Sequence, residues 1–259
     1  MNDASPNPGH PGETWVVVPT YNERDNVRPF ISALLGVDPT IRLLIVDDNS
    51  PDGTGSIADE IASGEARLSV LHRQAKAGLG AAYRAGFREV MRQEACARIA
   101  QMDCDFSHDP AELPSLLAAL DQGADLVLGS RYVPGGSTPG WSLSRRVVSR
   151  MGSLVARRIL SLPYRDLTGG FKVWRRDALA MLDLENGYAQ GYGFQIETTW
   201  NAHQLGYRVE EVPITFRERR AGKSKMTGAI ALEALRMVWR LRSAAPRVQA
   251  QPAAVRTRD

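Results

Sequence analysis

The chain has 259 residues, 43% of them apolar and 24% charged, and a formal net charge of +3. That length allows one large domain or two small ones, and that balance belongs to an ordinary globular chain rather than a disordered or membrane-embedded one. A pI near 9.0 permits phosphate-bearing ligands or an anionic membrane surface and demands neither. The two cysteines, Cys96 and Cys104, have no metal-type spacing. They do not imply a disulfide framework, and a reducing compartment fits best. Residues 1–12 lack the charged and apolar regions of a signal peptide, and no stretch approaches the ~18 apolar residues of a transmembrane helix. Lysine is scarce: of four, Lys172, Lys223 and Lys225 lie in or beside glycine-containing loops, as expected where a compact point charge meets phosphate.

In chain order, residues 14–18 predict a buried strand ended by Pro19. Asn22 suits a helix N-cap ahead of Val27, Phe30, Ile31, Leu34 and Leu35 at helical spacing. A second strand at 41–46 ends in Asp47 and Asp48. Turn chemistry follows at 49–54, with Thr54 as candidate cap of a helix to about residue 62. A short strand at 68–71 and a helix at 78–93 precede a fourth strand, at 97–102, that ends on Asp103 and Asp105. Pro110 opens a helix to residue 120, and a fifth strand at 125–129 leads into Ser130, Arg131 and Tyr132. Strands alternating with helices in this way predict an α/β fold, a mostly parallel sheet with flanking helices, whose ligands bind beyond the carboxyl ends of the strands. Further on, 134–140 reads as a flexible loop and 143–160 as a basic amphipathic helix on which Arg145 and Ser149 can touch one anion. A glycine turn at 166–172 precedes a strand at 172–174. A helix at 194–205 carries Glu197, and two strands at 207–212 and 214–217 are broken by Pro213. A basic, glycine-hinged loop at 219–225 is followed by an amphipathic helix at 229–241, which packs on the domain or lies at a membrane interface. One domain spanning 14–242 is expected, with disordered tails at 1–13 and 243–259.

The chemistry gathers at strand ends. Asp103 and Asp105, two residues apart, can both face one divalent cation, and Mg²⁺ or Mn²⁺ is usually held by one or two carboxylates plus substrate phosphates. An Asp-x-Asp alone is also a common solvated turn. Arg131, Lys172, Arg219 and Lys225 supply the complementary charge, and together these parts describe a nucleotide-diphosphate leaving group. No Gly-x-x-x-x-Gly-Lys-Ser/Thr is present, and Gly78-x-Gly80 lacks the rest of a dinucleotide fingerprint, so P-loop and hydride-transfer enzymes are disfavoured. Scattered basic residues without an aromatic platform argue against nucleic acid.

Pro19-Thr20-Tyr21-Asn22-Glu23, Val46-Asp47-Asp48-Asn49-Ser50-Pro51-Asp52-Gly53-Thr54 and Asp103-Cys104-Asp105-Phe106-Ser107-His108 resemble the inverting GT-A glycosyltransferases of family 2. Gly129-Ser130-Arg131-Tyr132, Thr168-Gly169-Gly170-Phe171-Lys172, Gly193-Phe194-Gln195-Ile196-Glu197 and Arg219…Gly222-x-Ser224-Lys225 narrow the resemblance to the polyprenol (dolichol) monophosphate mannose synthases, over about residues 14–242. The resemblance implies a single GT-A domain that moves mannose from GDP-mannose to a polyprenyl or dolichyl phosphate lipid. It implies that Pro19, Tyr21, Glu23, Val46 and Asp48 line the guanosine pocket, with Cys104 and Asp105 also at the donor. Asp103, Asp105 and Ser107 are then expected around Mg²⁺ or Mn²⁺, and Lys172, Arg219 and Lys225 on the diphosphate. Arg131, Arg145 and Ser149 are expected at the acceptor phosphate, with Asp105 and Arg131 as the catalytic pair. Glu197 is expected to position rather than deprotonate.

Three positions depart from the common pattern: Cys104 for Ala, Asn49 for Gly, and Lys223 where an acidic residue is frequent. The C-terminal membrane helices of some relatives are absent. This implies a cytoplasmic protein peripheral to a membrane, attached through the helices at 143–160 and 229–241 or through an anchoring protein. A UDP-glucose-dependent polyprenyl-phosphate glucosyltransferase and a non-catalytic sugar-nucleotide-binding module remain as alternatives.

Overall fold

A computed structural model describes residues 12–184, 187, 191, 193–218 and 228–243. Seven strands form one sheet: β1 (Glu13–Thr20), β2 (Ile41–Asp47), β3 (Leu68–His72), β4 (Cys96–Gln101), β5 (Leu126–Ser130), β6 (Lys172–Arg175) and β7 (Val209–Pro213), in the order β3-β2-β1-β4-β6-β5-β7. Every pairing is parallel except those of β6, which runs antiparallel to both β4 and β5. The carboxyl ends of six strands and the amino end of β6 therefore share one edge. Helices cover both faces: α1 (Arg24–Leu35), α2 (Thr54–Ala62), α3 (Leu79–Val90), α4 (Leu113–Asp121), α5 (Leu143–Leu160), α6 (Arg176–Ala180), α7 (Gly193–Gln204) and α8 (Gly228–Ser243).

The two-residue period of a strand divides β1 between two cores. Trp15 and Val17 join Tyr83, Phe87, Trp174, Phe194 and Trp200 on one face, while Val16 and Val18 join Phe30, Leu43, Leu113, Phe171 and Val173 on the other. Gly86 lets α3 lie close on β1, since a Cβ there would sit 2.4 Å from Val17 Cγ1. Among the described residues, no helix is long and apolar enough to cross a membrane.

Several expected boundaries move. Pro19 does not end β1: its side chain lies within the strand, which continues to Thr20. Asn22 is not the N-cap of α1. It adopts a left-handed conformation (φ 57°), and Glu23 takes the cap position. Thr54 is the first residue of α2 behind a left-handed Gly53, and the helix expected from Pro110 starts as a 3₁₀ turn, Pro110–Glu112. Pro213 ends β7 instead of separating two strands. β7 is an edge strand, where a residue without an N–H is tolerated, and the expected strand at 214–217 reduces to a bridge between Thr215 and Ser137. β1 begins at Glu13, inside the tail expected at 1–13, and α8 runs through Ser243. Residues 1–11 and 244–259 lie outside the described residues.

Candidate active site

The loops after β1 and β2 are joined side by side. Glu23 N–H donates to Thr54 Oγ1 (2.9 Å), Arg24 N–H to Asp52 Oδ2 (3.1 Å) and Asn22 N–H to Ser50 Oγ (3.2 Å). The neighbouring loop thus takes up the N–H groups of the cap residue Glu23 and of the first helical residue Arg24, where α1 has no side-chain cap bond of its own. Asp47 is spent inside this structure, accepting from Thr20 Oγ1 (3.1 Å), Ser50 N–H (3.0 Å) and Ser50 Oγ (2.5 Å). Asp48 is nearly buried and ion-paired with Arg73. Burial raises its carboxyl above the usual range, with Arg73 opposing. Asn49 is left-handed (φ 58°) and donates to Gln74 O (3.1 Å), which gives a physical reason for glycine at this position in the resembling pattern.

Of the expected donor residues, Pro19, Tyr21 and Glu23 are partly exposed at this rim, and Lys76 Nζ stands 3.9 Å over the Tyr21 ring. Two others turn inward. Val46 is fully buried against α3, with its Cγ2 3.0 Å from where a Gly86 Cβ would lie, because position 46 falls on the core-facing side of β2. Cys104 is buried in the other core, and burial pushes its thiol well up. Neither side chain is exposed at the rim.

After β4 the chain turns sharply through a left-handed Phe106 (φ 59°). Asp103 stays partly exposed, its N–H donating to His108 Nδ1 (3.1 Å), while Asp105 is nearly buried and accepts from Ser107 N–H (3.0 Å). Ser107 Oγ is fully buried and has no hydrogen-bond partner among the described residues. Two carboxylates and an unused hydroxyl form a hard-oxygen donor set that fits a divalent cation. Among the described residues no cluster of three or more His, Cys, Asp or Glu could hold one alone. A set of two carboxylates and a hydroxyl is of the kind that holds an ion completed by substrate oxygens.

Lys172 is corrected by the structure. It is fully buried, and its Nζ donates to Gln195 O (2.5 Å), Thr199 Oγ1 (2.9 Å) and Thr198 Oγ1 (3.1 Å). All three ammonium protons are engaged by α7, and burial pulls the amine well below the usual lysine range. It does not reach out to a diphosphate. Arg219 and Lys225, the other two expected diphosphate residues, lie outside the described residues, as does Lys223.

Arg131 is buried and locked to Asp166. Its Nε and Nη2 each lie 2.7 Å from a carboxylate oxygen, its N–H donates to Asp166 Oδ2 (3.0 Å), and Nη2 also donates to Thr168 Oγ1 (2.8 Å). Burial opposes both charges, yet the pairing wins, raising Arg131 and lowering Asp166. The rings of Tyr132, Phe216 and Trp141 lie 5.1–5.6 Å from the guanidinium carbon. The expected companions Arg145 and Ser149 face elsewhere. Arg145 stacks over Trp141 (4.1 Å) and pairs with Glu218 (3.2 Å), and Ser149 Oγ accepts from Tyr132 Oη (2.6 Å). One step round the helix, Arg146 and Arg150 line a pocket of about 320 Å³ with Arg131, Tyr132 and residues 136–139. Neither has a carboxylate partner among the described ion pairs, and Arg146 Nε is a buried donor without an acceptor. The sequence held a clue: 146 and 150 share the one-turn spacing of 145 and 149.

Residues 15–182 match the model of glycosyl transferase family 2. The chain belongs to that family. Two family relatives cover most of it: a polyprenol monophosphomannose synthase of Mycolicibacterium smegmatis, 46% identical over 232 residues (88% of this chain and 87% of that protein), and an undecaprenyl-phosphate mannosyltransferase of Micrococcus luteus, 45% identical over 224 residues (86% and 91%). Among solved structures, a glucosyl-3-phosphoglycerate synthase of Mycobacterium tuberculosis in complex with Mn²⁺, UDP and glucosyl-3-phosphoglycerate superimposes with a TM-score of 0.68 at 21% identity, covering 90% of this chain and 81% of that one. The same enzyme with Mn²⁺, UDP-glucose and phosphoglyceric acid gives 0.67 at 20% identity, over the same shares. These structural likenesses place the chain in the GT-A fold.

Proposed function

We propose that this family 2 enzyme transfers mannose from GDP-mannose to a polyprenyl or dolichyl monophosphate, giving a polyprenyl-phosphate β-mannose and GDP. One observation carries the reading: a hard-oxygen pair, Asp103 and Asp105, lies at the same sheet edge as a pocket in which Arg146 and Arg150 have no carboxylate partner among the described ion pairs. The first suits a sugar diphosphate and the second a phosphate monoester. The names of the two bacterial relatives support a polyprenyl phosphate acceptor and mannose as the sugar transferred.

In this reading Pro19, Tyr21, Glu23 and Asp48 receive the guanosine. Asp103, Asp105 and Ser107 would hold Mg²⁺ or Mn²⁺, which supplies charge neutralisation on the departing diphosphate. The acceptor phosphate sits in the pocket of Arg131, Arg146 and Arg150. Asp166 cancels the charge of Arg131 and aims it, so the net attraction comes from Arg146 and Arg150. A phosphate monoester, with a second pKa of about 6, is largely dianionic at neutral pH and is already a nucleophile. No side chain then has to remove a proton, and Glu197, buried on α7, serves as a positioning group. Attack on the anomeric carbon opposite the leaving GDP inverts its configuration.

A lipid acceptor calls for contact with a bilayer. On α5, Leu143, Val147, Val148, Met151 and Val155 are exposed, and the helix carries five arginines and no acidic residue. That combination of apolar surface and cationic flank suits peripheral attachment to an anionic cytoplasmic leaflet, directly or beside an anchoring protein.

The test is radiolabel transfer from GDP-mannose, and in parallel from UDP-glucose, to a polyprenyl phosphate with Mg²⁺, Mn²⁺ or EDTA. Metal-dependent, lipid-extractable mannose is the expected result. Label from UDP-glucose alone would replace the donor, and transfer from neither would refute the proposal.

A further inference from the structure

We infer that Gln195 is a donor-recognition residue, whose carboxamide N–H₂ grips an oxygen of the sugar diphosphate. The inference rests on the reading of this edge as a sugar-nucleotide site.

Gln195 stands in the first turn of α7 and is 1% exposed. Its orientation is dictated by a relay. The indole nitrogen of Trp174 can only donate, and it donates to Gln101 Oε1 (2.8 Å). Gln101 must then present its N–H₂ onward, and Nε2 donates to Gln195 Oε1 (3.5 Å). The Gln195 carbonyl oxygen is therefore used, and its N–H₂ faces the other way. There Nε2 is buried with no acceptor among the described residues. Folded proteins seldom leave a buried amide donor unused, and such groups call for a ligand or a functional reason.

The notch it faces is the one that Gly170 leaves open. A Cβ on Gly170 would lie 3.6 Å from Gln195 Nε2, 3.7 Å from Asp103 Oδ1 and 3.4 Å from His108 Cε1. The amide donor and the Asp103 carboxylate thus border one small space. The backbone of the same residue is pinned, because Gln195 O accepts from Lys172 Nζ (2.5 Å) as well as from the Thr199 hydroxyl (3.0 Å). Lys172 thereby acts as a positioning residue. It holds the turn that aims Gln195, a different role from direct contact with the diphosphate. An oxygen-bearing ligand at the notch meets a preset donor beside the carboxylate expected to carry the metal. The donor offers two such oxygens, a sugar hydroxyl or a diphosphate oxygen.

Calorimetry of GDP-mannose and of GDP, each with Mg²⁺, separates these sources. Gln195→Glu keeps the acceptor for Gln101 and removes the N–H₂. Gln195→Met removes both and serves as the second variant should the buried carboxylate prevent folding. With the ligand-free unfolding temperature close to that of the wild type, GDP-mannose affinity is expected to fall about tenfold, the loss typical of one hydrogen bond. An unchanged GDP affinity assigns the bond to a sugar hydroxyl, and an equal loss for GDP assigns it to the diphosphate. Wild-type affinity for both ligands in the folded variants would overturn the inference. Failure of the wild type to bind either nucleotide would overturn the donor reading itself, and this inference with it.

Discussion

Asp166→Asn tests the coupling of fold and site most directly. The Asp166 carboxylate accepts three hydrogen bonds from Arg131 at 2.7–3.0 Å, and the two side chains are 0% and 6% exposed. The substitution leaves a buried guanidinium without a counter-charge, a change that costs about 3–5 kcal/mol. That is a large part of the roughly 5–15 kcal/mol that holds a typical protein folded. At about 2–4 °C per kcal/mol for a chain of this size, unfolding should come about 6–20 °C earlier. Urea and thermal unfolding of the purified variant measure it. The double variant Arg131→Met/Asp166→Leu, which replaces both charges with apolar groups, should recover most of the stability while remaining inactive, because the pair is then absent rather than broken. A loss below about 1 kcal/mol for Asp166→Asn would put the pair in the class of exposed ion pairs and refute the argument.

Asp105→Asn should lower metal-dependent turnover by about 100-fold or more, read as initial rates at saturating Mn²⁺; a loss well short of that removes the charge-stabilising role. Arg146→Ala and Arg150→Ala should each raise KM for the lipid phosphate roughly 10- to 100-fold while GDP-mannose affinity holds, and an effect confined to Arg145→Ala would restore the original assignment. Val147→Glu with Met151→Glu should cut co-sedimentation with anionic vesicles by about tenfold or more, given about 1.5–3 kcal/mol for each buried apolar side chain, and unchanged sedimentation would free α5 of a membrane role. Because Arg131 lowers the Asp166 carboxyl despite its burial, the pair contributes stability fully present above the ordinary carboxylate pKa of about 4. That contribution is lost as pH falls through the depressed folded value. The acid limb of an unfolding profile should therefore flatten in Arg131→Met/Asp166→Leu.

The sheet and the strand-end carboxylates were legible because they depend on local pattern. Apolar runs interrupted by Asp47-Asp48 and Asp103-x-Asp105 mark the strands and their carboxyl ends together. The direction a side chain takes was not legible where it depends on tertiary pairing. Lys172 follows a glycine turn that reads as a phosphate loop, but β6 runs antiparallel and directs the ammonium into α7. Val46 and Cys104 lie beside true rim residues, and the alternation of a strand or turn sends their side chains into the core. On α5 the arginines that line the pocket, Arg146 and Arg150, stand one residue on from the expected Arg145 and Ser149, a rotation of about 100° around the helix that sequence spacing alone cannot distinguish. The partner of Arg131 was missed for a different reason: Asp166 is 35 positions away, and nothing local ties the two.

If the nucleotide docks as proposed, the bonds from Glu23 to Thr54 and from Arg24 to Asp52 shape how it is met. They fasten two loops, about thirty positions apart in the chain, into a single jaw before any ligand arrives. A base docking there encounters a surface whose backbone freedom was already surrendered during folding, so little further ordering entropy opposes its capture on that side. Discrimination among bases then falls to the fixed shape of the jaw, and kinetic differences between competing nucleotides should surface in how fast they leave more than in how fast they arrive.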